Sequence, residues 1–99
     1  MFVVLFEDNP EADGDTRCRL MSDHLAFLDR HAENIRAAGP LGTAEGEPAG
    51  GLWLVEAAAA TDVEALVKGD PFWPTGLRKS VRILAWTQVY ADGKRVIAG

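Results

Sequence analysis

Apolar residues recur along this chain with two different periods. Phe2 to Phe6 is a continuous apolar run closed by Glu7-Asp8-Asn9-Pro10. Its length and β-branched content predict a strand buried on both faces. After an acidic, turn-rich loop to Asp15, the period changes. Leu20, His24, Phe27, Leu28, His31 and Ile35 fall on one helical face, which predicts a helix from Arg17 to Ala38. Asp15 or Thr16 suits its N-cap, and Gly39-Pro40 its end.

Leu41 to Ala44 reads as a short strand turning at Glu45-Gly46-Glu47, one arm of a hairpin. Leu52 to Ala57 is the other arm, with Trp53, Val55 and Ala57 as its wholly apolar face. Thr61-Asp62-Val63-Glu64 has the pattern of a capping box opening a short helix, which Gly69-Asp70-Pro71 stops. Phe72 to Leu77 is an aromatic connection. Ser80 to Tyr90 alternates as a last long strand, Asp92-Gly93 is a turn, and Lys94 to Gly99 is a frayed tail or a small added strand.

Strand, helix, strand, strand, helix, strand is the βαββαβ order of a ferredoxin-like α+β sandwich, an antiparallel sheet with two helices on one face. No third helix covers the other face, so a homodimer packed sheet to sheet is expected. This topology sends the Asp70 end of the second helix to the end of the molecule where His24 lies.

Composition narrows the function classes. Ninety-nine residues at 47% apolar content fit one globular domain, 1–99. A net charge of -5 with scattered basic residues argues against nucleic acid and anionic membranes as partners. No apolar run approaches the roughly 20 residues of a bilayer span, and the start MFVVLFEDNP lacks a basic leader. With one cysteine, Cys18, there is no internal disulfide and no thiolate metal cage. The expectation is a cytoplasmic protein without metal or cofactor.

The candidate chemistry centres on His24, a polar imidazole inside an apolar stripe. An imidazole has a reference pKa of about 6.5 and suits proton transfer near neutrality. A carboxylate on its other ring nitrogen, such as Asp70, fixes the tautomer and stabilises the imidazolium. The same pair also serves as a satisfied core histidine, and the sequence leaves both readings open. His31 reads as packing and Cys18 as a small buried or half-buried filler. Trp53, Phe72, Trp73 and Trp86 read as core or interface residues, one or two of them lining a pocket. Arg78, Lys79 and Arg82 read as a solvated strand end.

Several segments together carry a family resemblance. They are His24-Leu25-Ala26-Phe27-Leu28, Gly39-Pro40-Leu41, Gly51 to Ala57, Asp70-Pro71-Phe72, and Val81 to Trp86. In that order they resemble the YciI-like (YCII-related) proteins of the dimeric α+β barrel group. The resemblance implies a dimer with a His–Asp pair, here His24 and Asp70 as catalytic residues, in a pocket near the interface. It implies lyase-, isomerase- or dehalogenase-like acid/base chemistry on a small-molecule ligand; the alternative is a non-catalytic metabolite-binding or regulatory dimer. Of two arginines common in relatives before the His, Arg17 matches one, while Met21 stands in place of the other. Phe72, Trp86 and Arg17 are the candidate pocket-lining residues.

Overall fold

The computed structural model describes residues 1–96. Strand β1 (Phe2–Asp8) leads to helix α1 (Gly14–Arg30), then to β2 (Ile35–Gly42) and β3 (Pro48–Val55). Helix α2 (Ala60–Gly69) and a 3-10 turn at Trp73–Thr75 precede β4 (Arg78–Ala85). A small hairpin, β5 (Tyr90–Ala91) and β6 (Lys94–Arg95), follows. The main sheet is ordered β2-β3-β1-β4 with every pair antiparallel. The fold is α+β and ferredoxin-like.

Alternation along the strands sorts the two faces. Val4 pairs with Trp53 and Ile83, and Phe6 with Gly51 and Val81. Val4, Phe6, Trp53 and Val55 meet Phe27 of α1, Ile35 of β2, and Val63 and Val67 of α2 in the core. On the opposite face Val3 pairs with Leu54 and Leu84, and Leu5 with Leu52. These aliphatic side chains form a patch that no helix covers among the described residues.

Several expected boundaries are corrected. Helix α1 stops at Arg30, not Ala38, and the helix-forming Ala37 and Ala38 lie in β2. Pairing with β3 outweighs their propensity, because a ladder partner and the burial of Ile35 are worth more than a few tenths of a kcal/mol per residue. The crossing is stitched by Asn34, whose Nδ2 donates to the Glu56 carbonyl at 2.8 Å while its own carbonyl accepts from Glu56 N at 2.7 Å. Pro40 is therefore a strand residue. It is tolerated because β2 is an edge strand, where a missing N–H costs no ladder bond.

The α1 N-cap is Asp13, not Asp15 or Thr16; its side chain accepts from Asp15 N. Helix α2 is capped at Ala59 without a side-chain bond, so the Thr61–Glu64 capping box does not form. Strand β4 runs Arg78–Ala85, starting earlier and ending sooner than Ser80 to Tyr90. The tail contains a short added strand, Lys94–Arg95, while 97–99 lie outside the described residues. Cys18 is exposed rather than buried.

Candidate active site

Three segments distant in sequence converge on one carboxylate. Asp70 caps the C-terminus of α2 with extended backbone geometry, as a residue before proline prefers. The residue is 1% exposed and its side chain fully buried. The C-terminal end of a helix is the wrong place for an anion by its dipole alone, so donors must hold it. Asp70 Oδ1 lies 2.8 Å from His24 Nδ1 and accepts from Phe72 N at 3.1 Å, while Oδ2 accepts from Arg78 Nη1 at 2.7 Å. Burial pushes the carboxyl upward. The hydrogen bond to His24, the Arg78 charge and the Phe72 amide outweigh it, and Asp70 titrates below its ordinary value. Asp70 is thus a carboxylate near neutrality.

An ionised carboxylate only accepts, so the His24 nitrogen facing it carries a proton, and in the neutral imidazole the lone pair is on Nε2. Nε2 has no hydrogen-bond partner among the described residues. No buried side-chain nitrogen or oxygen there is left unpartnered, so this atom reaches open space. His24 lines a cavity of about 530 Å³ bounded by α1, Phe72 and the β2–β3 hairpin. His24 stacks on Phe72 at 4.3 Å between ring centroids and 20° between planes. The imidazole is held on one side and open on another.

Arg78 is the site residue that the sequence did not reveal. Plain alternation from Val81 puts Lys79, not Arg78, on the helix side. A register shift prevents this: Glu7 pairs with Ser80, but Asp8 pairs with Arg78. The extra residue turns Arg78 inward, the usual effect of a bulge. Its guanidinium lies 3.9 Å from the Phe6 ring centroid, and its side chain is only 8% exposed. Burial lowers its pKa and the Asp70 charge opposes that. Arginine stays protonated regardless, so Asp70 and Arg78 form a buried, mutually neutral pair. No pattern of spacing announces such a bulge.

The remaining expected residues divide. Arg17 lines the cavity and pairs with Asp8 at 3.2 Å, half-exposed, a geometry worth little to stability. Phe72 and Met21 also line it, and Met21 makes that wall apolar. Trp86 does not line it. It lies past the end of β4, 39% exposed, with its amide bonded to the Met1 carbonyl. His31 caps α1 against Phe27 and is distant in sequence and contact from the carboxylate. Gly50 and Gly51 supply cavity wall without side chains. Gly50 has φ +96°, and a Cβ there would fall 2.0 Å from the Phe6 carbonyl oxygen. Among the described residues no group of His, Cys, Asp and Glu is placed to hold a metal, and no helix is long and apolar enough to cross a membrane.

Fold and site together define a ferredoxin-like α+β protein with a small-molecule-sized cavity and an imidazole at its wall. The sequence model of the YCII-related domain matches residues 1–87, and the chain belongs to that family. No curated protein sequence matches it. Among solved structures it is similar to the 5-chloro-2-hydroxyhydroquinone dehydrochlorinase TftG from Burkholderia phenoliruptrix AC1100, in complex with 2,5-dihydroxybenzoquinone. The two are 27% identical, with a TM-score of 0.69 over 87% of this chain and 92% of the other.

Proposed function

We propose that this single-domain protein is a small dimeric enzyme that moves protons on a small ring compound bearing phenol, enol or carbonyl oxygens. His24 is the base. Its Nε2 takes a proton from a hydroxyl or an acidic carbon of the substrate. The electron pair left behind expels a leaving group, as in an elimination, or is reprotonated elsewhere in the ring by the imidazolium, as in an isomerisation. Asp70 keeps the imidazole in the required tautomer and stabilises the cation formed when the proton arrives. The observation that carries this reading is the 2.8 Å contact of Nδ1 with a buried carboxylate in a histidine that lines the cavity. A largely apolar cavity of about 530 Å³ falls in the range for small-molecule sites. The dehydrochlorinase resemblance favours elimination, with chloride as one possible leaving group, and a dihydroxyquinone-like ring as the ligand class.

The dimer in this reading uses the uncovered sheet face, where Val3, Leu5, Leu52 and Leu54 lie half-buried and Leu84 is exposed. An exposed Cys18 fits a reducing compartment, and the reading places the protein in the cytoplasm.

The test is a panel of chlorinated and unsubstituted hydroxyhydroquinones, followed by ultraviolet absorbance and chloride release. The wild type is expected to turn over at least one of them, and His24→Asn to lose on the order of 100-fold or more in kcat. Undiminished turnover by His24→Asn overturns the role of His24. Tight binding of these rings with no turnover by the wild type overturns the enzyme reading in favour of a metabolite-binding module.

A further inference from the structure

Two arginines line the cavity, Arg17 and Arg78, and each is already held by a carboxylate. Arg78 is buried against Asp70 at 2.7 Å. Arg17 Nη2 donates to Asp8 Oδ1 at 3.2 Å, with the two side chains 38% and 31% exposed. Glu47, on the hairpin side of the cavity, adds a third carboxylate. Among the described residues, two cations at the cavity therefore face three anions. Arg78 registers the outer pair as well. After the larger effects of burial and of Asp70, the Arg17 charge lowers its pKa and the Asp8 charge raises it. The two ion pairs thus make one electrostatic cluster at the cavity wall.

Asp8 follows Val4 and Phe6 on the helix-facing side of β1. Where packing alone would favour an apolar residue, the chain has a carboxylate. A half-exposed ion pair contributes little to stability, so stability does not account for it. Its place in the cavity does. Arg17 lies seven residues before His24, two turns away on one face of α1. Its guanidinium carbon is 5.8 Å from the centroid of the Phe72 ring, on which His24 stacks at 4.3 Å. A ring compound in reach of His24 therefore meets Arg17 too. A free guanidinium there would capture a carboxylate or phosphate through charge-assisted hydrogen bonds. With Asp8 on Arg17, an incoming anion must break that pair or lie uncompensated against a largely apolar wall. Burying a charge without a partner is costly. An uncharged ring meets neither obstacle. Its proton passes to His24 only after binding, so the new anion forms beside an imidazolium.

We infer that Asp8 is a specificity-determining residue: by occupying Arg17 it restricts the cavity to rings that enter uncharged and excludes those bearing a carboxylate or phosphate. The inference rests on the ring-compound reading above and narrows its substrate class. The test is titration calorimetry on the full chain at pH 7 with 2,5-dihydroxybenzamide and 2,5-dihydroxybenzoate, rings of nearly the same shape that differ by one charge. The wild type is expected to bind the benzamide about tenfold or more tighter than the benzoate. Asp8→Asn is expected to shrink that ratio about tenfold or more. The double variant Asp8→Asn, Arg17→Gln is expected to lose the gain, because a freed Arg17 is its source. Circular dichroism checks that each variant is folded. Equal affinity of the wild type for the two rings overturns the inference and leaves the ring-compound reading standing. An Asp8→Asn ratio within twofold of wild type does the same. A double variant that keeps the gain overturns the part assigned to Arg17. Binding of neither ring by the wild type at millimolar concentration overturns both the inference and the reading beneath it.

Discussion

Replacing Arg78 by Met isolates the part that charge plays in holding the site together. Methionine keeps an unbranched stem against Phe6 and Trp53, whose rings lie 3.9 and 5.5 Å from the guanidinium carbon, so packing changes little. What is lost is the cation 2.7 Å from Asp70 Oδ2. Removing one partner from a buried ion pair costs about 3–5 kcal/mol, mostly because the other charge is left without compensation. Here Asp70 keeps two donors, His24 and Phe72 N, which places the expected cost near the lower end, about 3 kcal/mol. That is a large part of the roughly 5–15 kcal/mol that stabilises a domain of this kind. The assay is urea unfolding of the wild type, Arg78→Met, Asp70→Asn and the double variant at pH 7, with midpoints and slopes compared. Neutralising both partners removes the stranded charge, so the double variant is expected to be more stable than the sum of the singles requires, with a coupling of about 2 kcal/mol. The deficit of Arg78→Met is also expected to shrink in acid, where Asp70 takes up a proton. Additivity within about 0.5 kcal/mol, or a cost below about 1 kcal/mol for Arg78→Met, refutes the argument.

Three further outcomes follow from the geometry. Asp70 titrates below its ordinary value of 3.8 in the folded protein, so its contribution to stability is complete above that value and is lost as pH falls through the lower folded value; Asp70→Asn is expected to flatten the stability–pH curve below about pH 4, and parallel wild-type and variant curves from urea melts would count against it. Gly50→Ala places a Cβ 2.0 Å from a backbone oxygen at φ +96°, whereas a Cβ at Gly39 meets nothing within 4 Å; thermal melts are expected to show a loss well beyond the usual ~1 kcal/mol for the first and a small change for the second. Asp13→Ala removes the α1 cap bond and is expected to cost about 1 kcal/mol, while Thr61→Ala, which removes no cap, is expected to stay within about 0.5 kcal/mol, both read from denaturant midpoints.

The order of elements was legible in the sequence because it rests on period and punctuation. The Trp53/Val55 face followed from strict alternation, and chain topology put His24 and Asp70 at the same end of the molecule once that order was known, their pairing being what the family resemblance implied. The end of α1 was not legible. Ala37 and Ala38 carry helix propensity, and the competing term, pairing with β3, belongs to residues some fifteen positions further on. The Thr61–Glu64 pattern was present but Ala59 already occupies the cap position, a shift within the ordinary uncertainty of a helix start. Arg78 was hidden for a different reason. Its inward direction depends on one unpaired residue in β4, and alternation read from the sequence assumes that no such residue exists.

The carboxylate of Asp70 also bears on the order of events in folding. Its partners come from α1, 46 residues earlier, and from the start of β4, eight residues later. No hairpin or single helix can assemble these contacts in isolation, and the loop to His24 must close before the first of them forms. The site is therefore expected to form late in folding, after the sheet has brought its neighbours together. Interactions formed that late act chiefly on the rate of unfolding rather than on the rate of folding. On that order of events the donors around Asp70 act as a latch, and weakening them is expected to speed unfolding more than it slows folding.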